Sequence, residues 1–347
     1  MTEPEDIFGK TGSEIAHIAQ EMRLPSYTAR QITEWLYKKG AVSFDQMTNV
    51  PKNIRSLLGS SYYIGRKIPS GSQVSADGTK KYLFPVRSGK FIEAVYIPEL
   101  KRATLCMSSQ VGCKMGCIFC MTGKQGFQGN LTASEIINQV VSLPEQADLT
   151  NYVFMGMGEP LANTENVLKS IEILTAGYAY AISPSRITVS TIGILPGLEQ
   201  VINGSRCHIA ISLHSPFEEE RMNLMPVERL YPARRVIDFL KQHDISRQRR
   251  ISFEYIMFRG INDTPRHVNG LTRLLNGLRC RINLIRFHPV PGVDLNPSGE
   301  ETIQQFKNRL NEKGILTTVR ASRGQDIFAA CGMLSTHHML LTGKTES

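Results

Sequence analysis

The apolar positions of this chain change period along its length. From residue 12 to about 60 they recur at helical spacing, with Ala29, Ile32, Trp35 and Leu36 on one face. Ser13 and Ser26 stand at the starts of apolar runs and predict N-caps. Val50-Pro51 breaks the pattern, and a further short helix is expected after it. Residues 61–100 read differently. The turn pairs Asp77-Gly78 and Ser88-Gly89 separate runs of β-formers, which predicts hairpin strands.

From about residue 103, strand-like and helix-like runs alternate. Strands are expected at 103–107, 151–155, 186–190, 207–213, 251–257, 281–286 and 316–320. Helices are expected between most of them, at 132–143, 163–175, 232–242 and 302–313. Such alternation predicts an α/β fold with a parallel sheet or barrel. Pro/Gly-rich loops at 156–160, 193–196 and 288–292 follow predicted strands. In parallel α/β folds those strand ends hold ligands.

Composition narrows the setting. The chain has 347 residues, 41% of them hydrophobic, enough for one large core and a small accessory unit. No apolar run reaches the roughly 20 residues of a membrane span. The first residues contain no apolar signal-peptide region, so a cytoplasmic protein with no membrane partner is expected. A net charge of +9 favours a polyanionic partner such as nucleic acid. Seven cysteines, an odd count, argue for metal or redox chemistry over a disulfide framework.

Three of those cysteines carry the strongest signal. Cys113, Cys117 and Cys120 crowd the loop after the predicted strand 103–107. Three thiolates can hold three irons of a four-iron cluster and leave the fourth without a protein ligand. An open iron of that kind can chelate the amino and carboxylate groups of S-adenosylmethionine. Zinc would need a fourth ligand, and no second C-x-x-C or H-x-x-H lies nearby. The remaining alternative is three unligated thiols.

The C-x3-C-x2-C spacing resembles the signature of the radical S-adenosylmethionine superfamily. Cys106, in Leu105–Cys113, and Cys331, in Arg320–Gly332, sharpen the resemblance. Both segments are similar to the radical methyltransferases that modify C2 of adenine in ribosomal and transfer RNA. Gln125-Gly126-Phe127, Met155–Pro160, Ser190-Thr191, Ser212-Leu213-His214 and Asn283-Leu284-Ile285 extend it along nearly the whole chain.

That resemblance implies a partial (βα)6 TIM-like barrel over 101–347, a helical RNA-binding accessory domain over 1–60 and a β-hairpin extension over 61–100. It implies a 4Fe-4S cluster on Cys113, Cys117 and Cys120, S-adenosylmethionine as the second cofactor, and 23S ribosomal RNA and transfer RNA as partners. A flavodoxin or ferredoxin-type electron donor and a monomeric state are also expected.

Roles follow residue by residue from the same resemblance. Cys331 takes a methyl group from one S-adenosylmethionine. A radical made from a second removes hydrogen from that S-methyl group, and the resulting methylene radical adds to adenine. After the adduct loses an electron and a proton, Cys106 attacks the sulfur of Cys331, releasing methylated RNA and leaving a transient Cys106–Cys331 disulfide. Glu93 matches the proton acceptor. Gly158 and Glu159 match the site of the methionine ammonium; Ser190, Ser212, Leu213 and His214 match ribose and carboxylate contacts. One departure is His288, where the family has Asn before Pro in the loop that contacts the cofactor's adenine. Cys207 and Cys280 read as structural.

Lys52, Arg55, Arg66, Lys67, Lys80, Lys81, Arg247, Arg249 and Arg250 suit phosphate contacts. Three other functions stay open on the sequence: the sister methylation at adenine C8, a radical-generating activase that needs no Cys331, and a zinc-bearing RNA-binding protein.

Overall fold

The computed structural model describes residues 4–248 and 251–336. Its centre is one ten-stranded sheet. The strands are β1 (Gly71–Val74), β2 (Lys80–Pro85), β3 (Phe91–Glu99), β4 (Arg102–Cys106), β5 (Asn151–Phe154), β6 (Ile187–Thr191), β7 (His208–Ser212), β8 (Ile251–Met257), β9 (Cys280–Arg286) and β10 (Leu316–Val319). They lie in sequence order across the sheet. Each pair from β4 to β10 is parallel, while β1–β4 are antiparallel neighbours. The sheet does not close, because β4 pairs with β3 and β5 and never with β10. The result is a partial barrel whose open edge is extended by the hairpin strands.

The alternation in sequence explains this. Parallel strands need crossovers, and helices α5 (Ala133–Val141), α6 (Thr164–Thr175), α7 (Leu195–Gly204), α9 (Ala233–Gln242), α10 (Pro265–Leu274) and α11 (Glu300–Glu312) supply them. Short helices α4 (Met121–Gln125) and α8 (Glu218–Leu224) lie in the connections after β4 and β7. Strand β8 is buried at all its positions, as expected of a strand covered on both faces. Every predicted core strand and helix appears within two residues of its expected bounds.

Helices α1 (Gly12–Glu21), α2 (Ser26–Tyr37) and α3 (Lys52–Ser61) form the N-terminal unit. Ile15, Ile32, Leu36 and Leu58 fill its core. The cap assignments need correction. Thr11, not Ser13, caps α1: its hydroxyl accepts from Glu14 N–H while the Glu14 carboxylate accepts from Thr11 N–H. This capping box satisfies two backbone donors at once, which a single Ser two residues later cannot do. Ser26 already lies inside α2, after Pro25. The unit docks on the core helices through Ser134 Oγ donating to Asp6 at 2.6 Å and Lys169 pairing with Glu14 at 2.5 Å. Gly9, at φ +88°, packs so closely on Ser134 that a Cβ would meet its backbone N at 2.4 Å. Among the described residues no helix is long and apolar enough to cross a membrane.

Candidate active site

The carboxyl ends of β4–β9 open onto one cavity, and the loops after them are set by close backbone packing. After β4 the chain runs through Ser108–Gln110 and turns into the loop that carries Cys113, Cys117 and Cys120. Gly112, at φ +71°, makes this turn; a Cβ there would lie 1.7 Å from the Gly126 carbonyl oxygen, so only glycine fits. Ile118 N–H donates to Leu224 O, which ties the cysteine loop to α8.

The glycine loop after β5 lies against the same stretch. A Cβ on Gly158, at φ +96°, would stand 2.5 Å from Gln110 Cβ. Ser109 and Gln110 N–H groups both donate to Met157 O. Glu159 is buried, and its two oxygens accept from Leu161 N–H at 3.0 Å and Ile192 N–H at 3.1 Å. Burial pushes its carboxyl up to about 7, against the hydrogen bonds from Thr191, Ile192 and Leu161. Its lone pairs are thus partly engaged by the protein's own backbone.

His214 follows β7 in a left-handed conformation, φ +57°. Its Nδ1 accepts from Ile256 N–H at 3.0 Å, so the remaining proton sits on Nε2. Burial, aided by the Arg221 cation, drives its pKa down to about 3, so the ring is neutral at physiological pH. Ser190, Ser212, Gly158 and Glu159 line the cavity with it. Leu213 does not: its side chain is buried, and its backbone bonds to Glu254 and Arg221. Arg221 is a residue the sequence reading missed. Fully buried, it donates to the carbonyls of Leu213, Ile192 and Ser212 and pairs with Glu228, holding the ends of β6 and β7 together. An Arg on a short polar helix gives no sequence sign that it will be swallowed.

Past β10 the chain crosses the cavity without regular structure and places Cys331 on its wall. Cys106, at the end of β4, lines the same cavity with Cys113, Cys117 and Cys120. Cys331, over 200 residues later in the chain, therefore shares one space with the four cysteines of the 106–120 stretch, while Cys207 and Cys280 lie elsewhere. All seven are free thiols, so the expected disulfide is absent from this state. Burial pushes Cys106 up to about 12, and the nearby Cys331 thiol adds to the shift. Cys331 is exposed on the cavity wall; desolvation by the surrounding atoms raises its thiol and the Arg320 cation draws it back. Arg320, also unanticipated, is held by Glu254 of β8 at 3.1 Å.

Like Leu213, two further predicted residues stand off the cavity wall. Glu93 is not a surface carboxylate. It is fully buried, pairs with Lys81 at 3.2 Å and accepts from Ser335 N–H at 3.0 Å. His288 Nε2 meets Ser322 Oγ at 3.1 Å and so faces the C-terminal segment. The basic residues also divide. Lys81 is buried against Glu93, Lys80 pairs with Glu145, Arg55 donates to Asp45 O, and Arg66 donates to the Gly40 and Val141 carbonyls. Their charges serve internal contacts, and for Lys81 the phosphate role is excluded by burial. Lys52, Lys67 and Arg247 remain exposed. Arg249 and Arg250 lie outside the described residues.

The donor set suits an iron–sulfur cluster. Burial pushes Cys113 up to about 12 and Cys117 well above the ordinary thiol value, with neighbouring thiols adding to both shifts. Ligands must be thiolates, and three crowded thiolates need a cationic centre among them. Among the described residues no His, Cys, Asp or Glu trio is drawn together as for a single metal ion. A cube of iron and sulfide separates its cysteines more widely than one ion does. Three loop cysteines on a four-iron cluster would leave one iron open to the cofactor's amino and carboxylate groups.

Comparison with known proteins agrees with this geometry. Residues 107–268 match the radical SAM superfamily, and residues 6–64 match the ribosomal RNA large subunit methyltransferase N-terminal domain. A probable dual-specificity RNA methyltransferase RlmN of Parabacteroides distasonis is 55% identical over 97% of this chain and 98% of its own. A dual-specificity RNA methyltransferase RlmN of Syntrophus aciditrophicus is 43% identical over 93% of this chain and 94% of its own. The crystal structure of a radical SAM methyltransferase from Sphaerobacter thermophilus superposes with a TM-score of 0.89 at 38% identity, covering 95% of this chain and 99% of that one. With identity running along nearly the whole chain, and the N-terminal and radical SAM regions matched in order, the chain belongs to the RlmN family of radical SAM RNA methyltransferases.

Proposed function

We propose that this S-adenosylmethionine-dependent RNA methyltransferase methylates C2 of one adenine in 23S ribosomal RNA, near the peptidyl-transferase centre, and of the adenine 3′ to the anticodon in transfer RNA. Cys331 is the methyl carrier and Cys106 the resolving thiol. The observation that carries the reading is the meeting of these two thiols with the three cluster cysteines on one cavity. When bound, the cluster supplies the electron that splits S-adenosylmethionine into methionine and a 5′-deoxyadenosyl radical.

The chain's own residues do the rest. Gly158 brings backbone close to the methionine, and Glu159 is the acceptor for its ammonium. Ser190 and Ser212 present hydroxyls to the ribose and carboxylate, and His214 presents a neutral Nε2–H donor. Cys331 needs to be a thiolate to take the methyl group, and the Arg320 cation offsets part of the desolvation that opposes ionisation. Cys106 needs access to the Cys331 sulfur, and both line the cavity. Glu93, as proton acceptor, has a carboxyl whose burial raises its proton affinity; reaching the base requires Ser335 to release it. His288 contacts the cofactor's adenine only after leaving Ser322. The N-terminal helical unit over 1–60 binds RNA, with Lys52 among its exposed cations, and the extension over 61–100 joins it to the core over 101–347. A flavodoxin or ferredoxin-type protein supplies electrons to a cytoplasmic monomer.

The test is a reconstituted anaerobic reaction with both RNAs, read by mass spectrometry of the released nucleosides. C2-methyladenosine is expected from wild type and none from Cys331→Ala; C8-methyladenosine, or methylation by Cys331→Ala, overturns the reading. Wild type is expected to be brown with about four irons per chain, and Cys113→Ala colourless. Stoichiometric zinc without iron excludes radical chemistry.

A further inference from the structure

The segment from Arg320 to Ser335 has no helix or strand; its own backbone offers only local turns, Ala329 N–H to Gly324 O and Met333 N–H to Ala330 O, around Cys331. Beyond the Arg320 and Ser322 contacts at its start, it is held from outside on either side of Cys331. Ahead of Cys331, Asp326 accepts from Ser75 Oγ at 2.5 Å and from Ala76 N–H at 3.1 Å. In return, Asp77 accepts from Gly324 N–H at 2.9 Å, while its other oxygen accepts from Thr79 N–H at 2.9 Å and braces the β1–β2 turn. Each partner offers the other one carboxylate and one backbone N–H. Packing agrees: a Cβ on Gly324, at φ +59°, would lie 2.8 Å from Ala329 Cβ and 2.9 Å from Thr79 Cγ2. The two segments already touch there.

Beyond Cys331 the hold is different. Gly332 O accepts from Met121 N–H at 2.7 Å and Leu334 O from Thr122 Oγ1 at 2.7 Å, which ties the segment to α4. Ser335 N–H then donates to Glu93, which β3 presents beside Lys81 of β2. The antiparallel extension thus grips the segment on both sides of Cys331, with its β1–β2 turn on one side and a buried ion pair on the other.

We propose that Asp77 and Asp326 are positioning residues, whose reciprocal clasp sets where Cys331 stands relative to Cys106 and the methyl donor. The inference rests on the proposed methyl-carrier role of Cys331. The chemistry demands such a clasp because one sulfur must serve several partners in turn: a methyl donor, a radical, a base and a second thiol. Misplacing a reacting atom by about 1 Å can cost on the order of a hundredfold in rate. A segment without helix or strand can hold that tolerance only through contacts of this kind.

The test uses full-length, cluster-loaded protein and the variants Asp77→Ala, Asp326→Ala and their double. Both residues are exposed in turns, so the fold is expected to survive; iron content and melting temperature check this. Ser75→Ala removes one clasp bond without a charge and serves if the double variant fails to fold. The first readout is the rate at which a short bifunctional thiol reagent bridges Cys106 to Cys331, mapped by peptide mass spectrometry. The second is the ratio of 5′-deoxyadenosine to methylated RNA. Bridging is expected to slow, and the ratio to rise, by at least about fivefold, with the KM for RNA unchanged. Unchanged bridging in an intact variant overturns the clasp. So does slowed bridging with an unchanged ratio, where Cys331→Ala has abolished methylation. If Cys331→Ala still methylates RNA, the carrier role fails, and slowed bridging by itself then shows that the clasp places the thiol.

Discussion

Replacing Lys81 with Met breaks an ion pair that has no route to solvent. Lys81 and Glu93 are each about 1% exposed or less, and their charged atoms lie 3.2 Å apart. The Met side chain fills similar space but leaves the Glu93 carboxylate with only the Ser335 N–H. Removing one partner of a buried pair typically costs about 3–5 kcal/mol, because the other charge stays buried and uncompensated. For 347 residues, an unfolding entropy near 2.1 cal/mol/K per residue converts this to a melting point lower by about 4–7 °C. The loss depends on pH. Burial already raises the Glu93 carboxyl above its ordinary value, and without Lys81 it rises further. A carboxyl that is raised in the fold is more easily protonated there than in the unfolded chain. Stability therefore falls as pH climbs from the unfolded value, about 4.3, toward the folded one, by about 1.4 kcal/mol per pH unit. Thermal melts of Lys81→Met and wild type, at matched iron content from pH 5.5 to 8.5, should diverge as pH rises. A melting point lowered equally across that range, or by less than about 1 °C at pH 8, refutes the reasoning. The double variant Lys81→Met/Glu93→Leu should recover much of the loss, since an apolar pair often replaces a buried ion pair at little cost.

Cys106→Ala should let the early steps proceed and then stall, because no thiol can attack the Cys331 sulfur. A denaturing gel should show a slower, ribonuclease-sensitive band absent from wild type; normal release of methylated RNA returns Cys106 to a purely structural role. Gly158→Ala puts a Cβ 2.5 Å from Gln110 Cβ at φ +96°. Backbone strain there costs about 1–3 kcal/mol, and the loop must shift off Ser109 and Gln110. Equilibrium dialysis should show S-adenosylmethionine affinity at least about tenfold weaker, by the equivalence of 1.4 kcal/mol to a factor of ten; unchanged affinity removes this loop from the cofactor site. His214→Asn should lower activity without altering the pH profile between 5 and 9, because the native ring is neutral throughout that range, its pKa held near 3. A lost acidic limb in the variant assigns that limb to His214.

The sequence by itself determined the order and type of the elements. Strand–helix alternation from residue 103 leaves few arrangements other than a parallel sheet, since each apolar run can bury both faces only between helices. It also pointed to a cluster on the Cys113–Cys120 loop, because three cysteines at that spacing, with no fourth ligand near, have few uses. At the start of α1 the local sequence holds the cap as well: Thr11 and Glu14 spell out the capping box, three residues apart. What only the tertiary structure decided are the relations between residues far apart in the chain. Nothing in FIEAV says whether Glu93 meets water or Lys81, because both lie on antiparallel strands whose outer face is covered by a segment more than 200 residues later. The basic residues read alike in sequence, yet burial made Lys81 an internal counter-ion and left Lys52 exposed. The buried hub at Arg221, the Arg320–Glu254 pair and the clasp between Asp77 and Asp326 have no local signature. The first two exist because folding removes water from charges whose partners the chain supplies only once the barrel has formed, and all three pairings are a property of space rather than of sequence order.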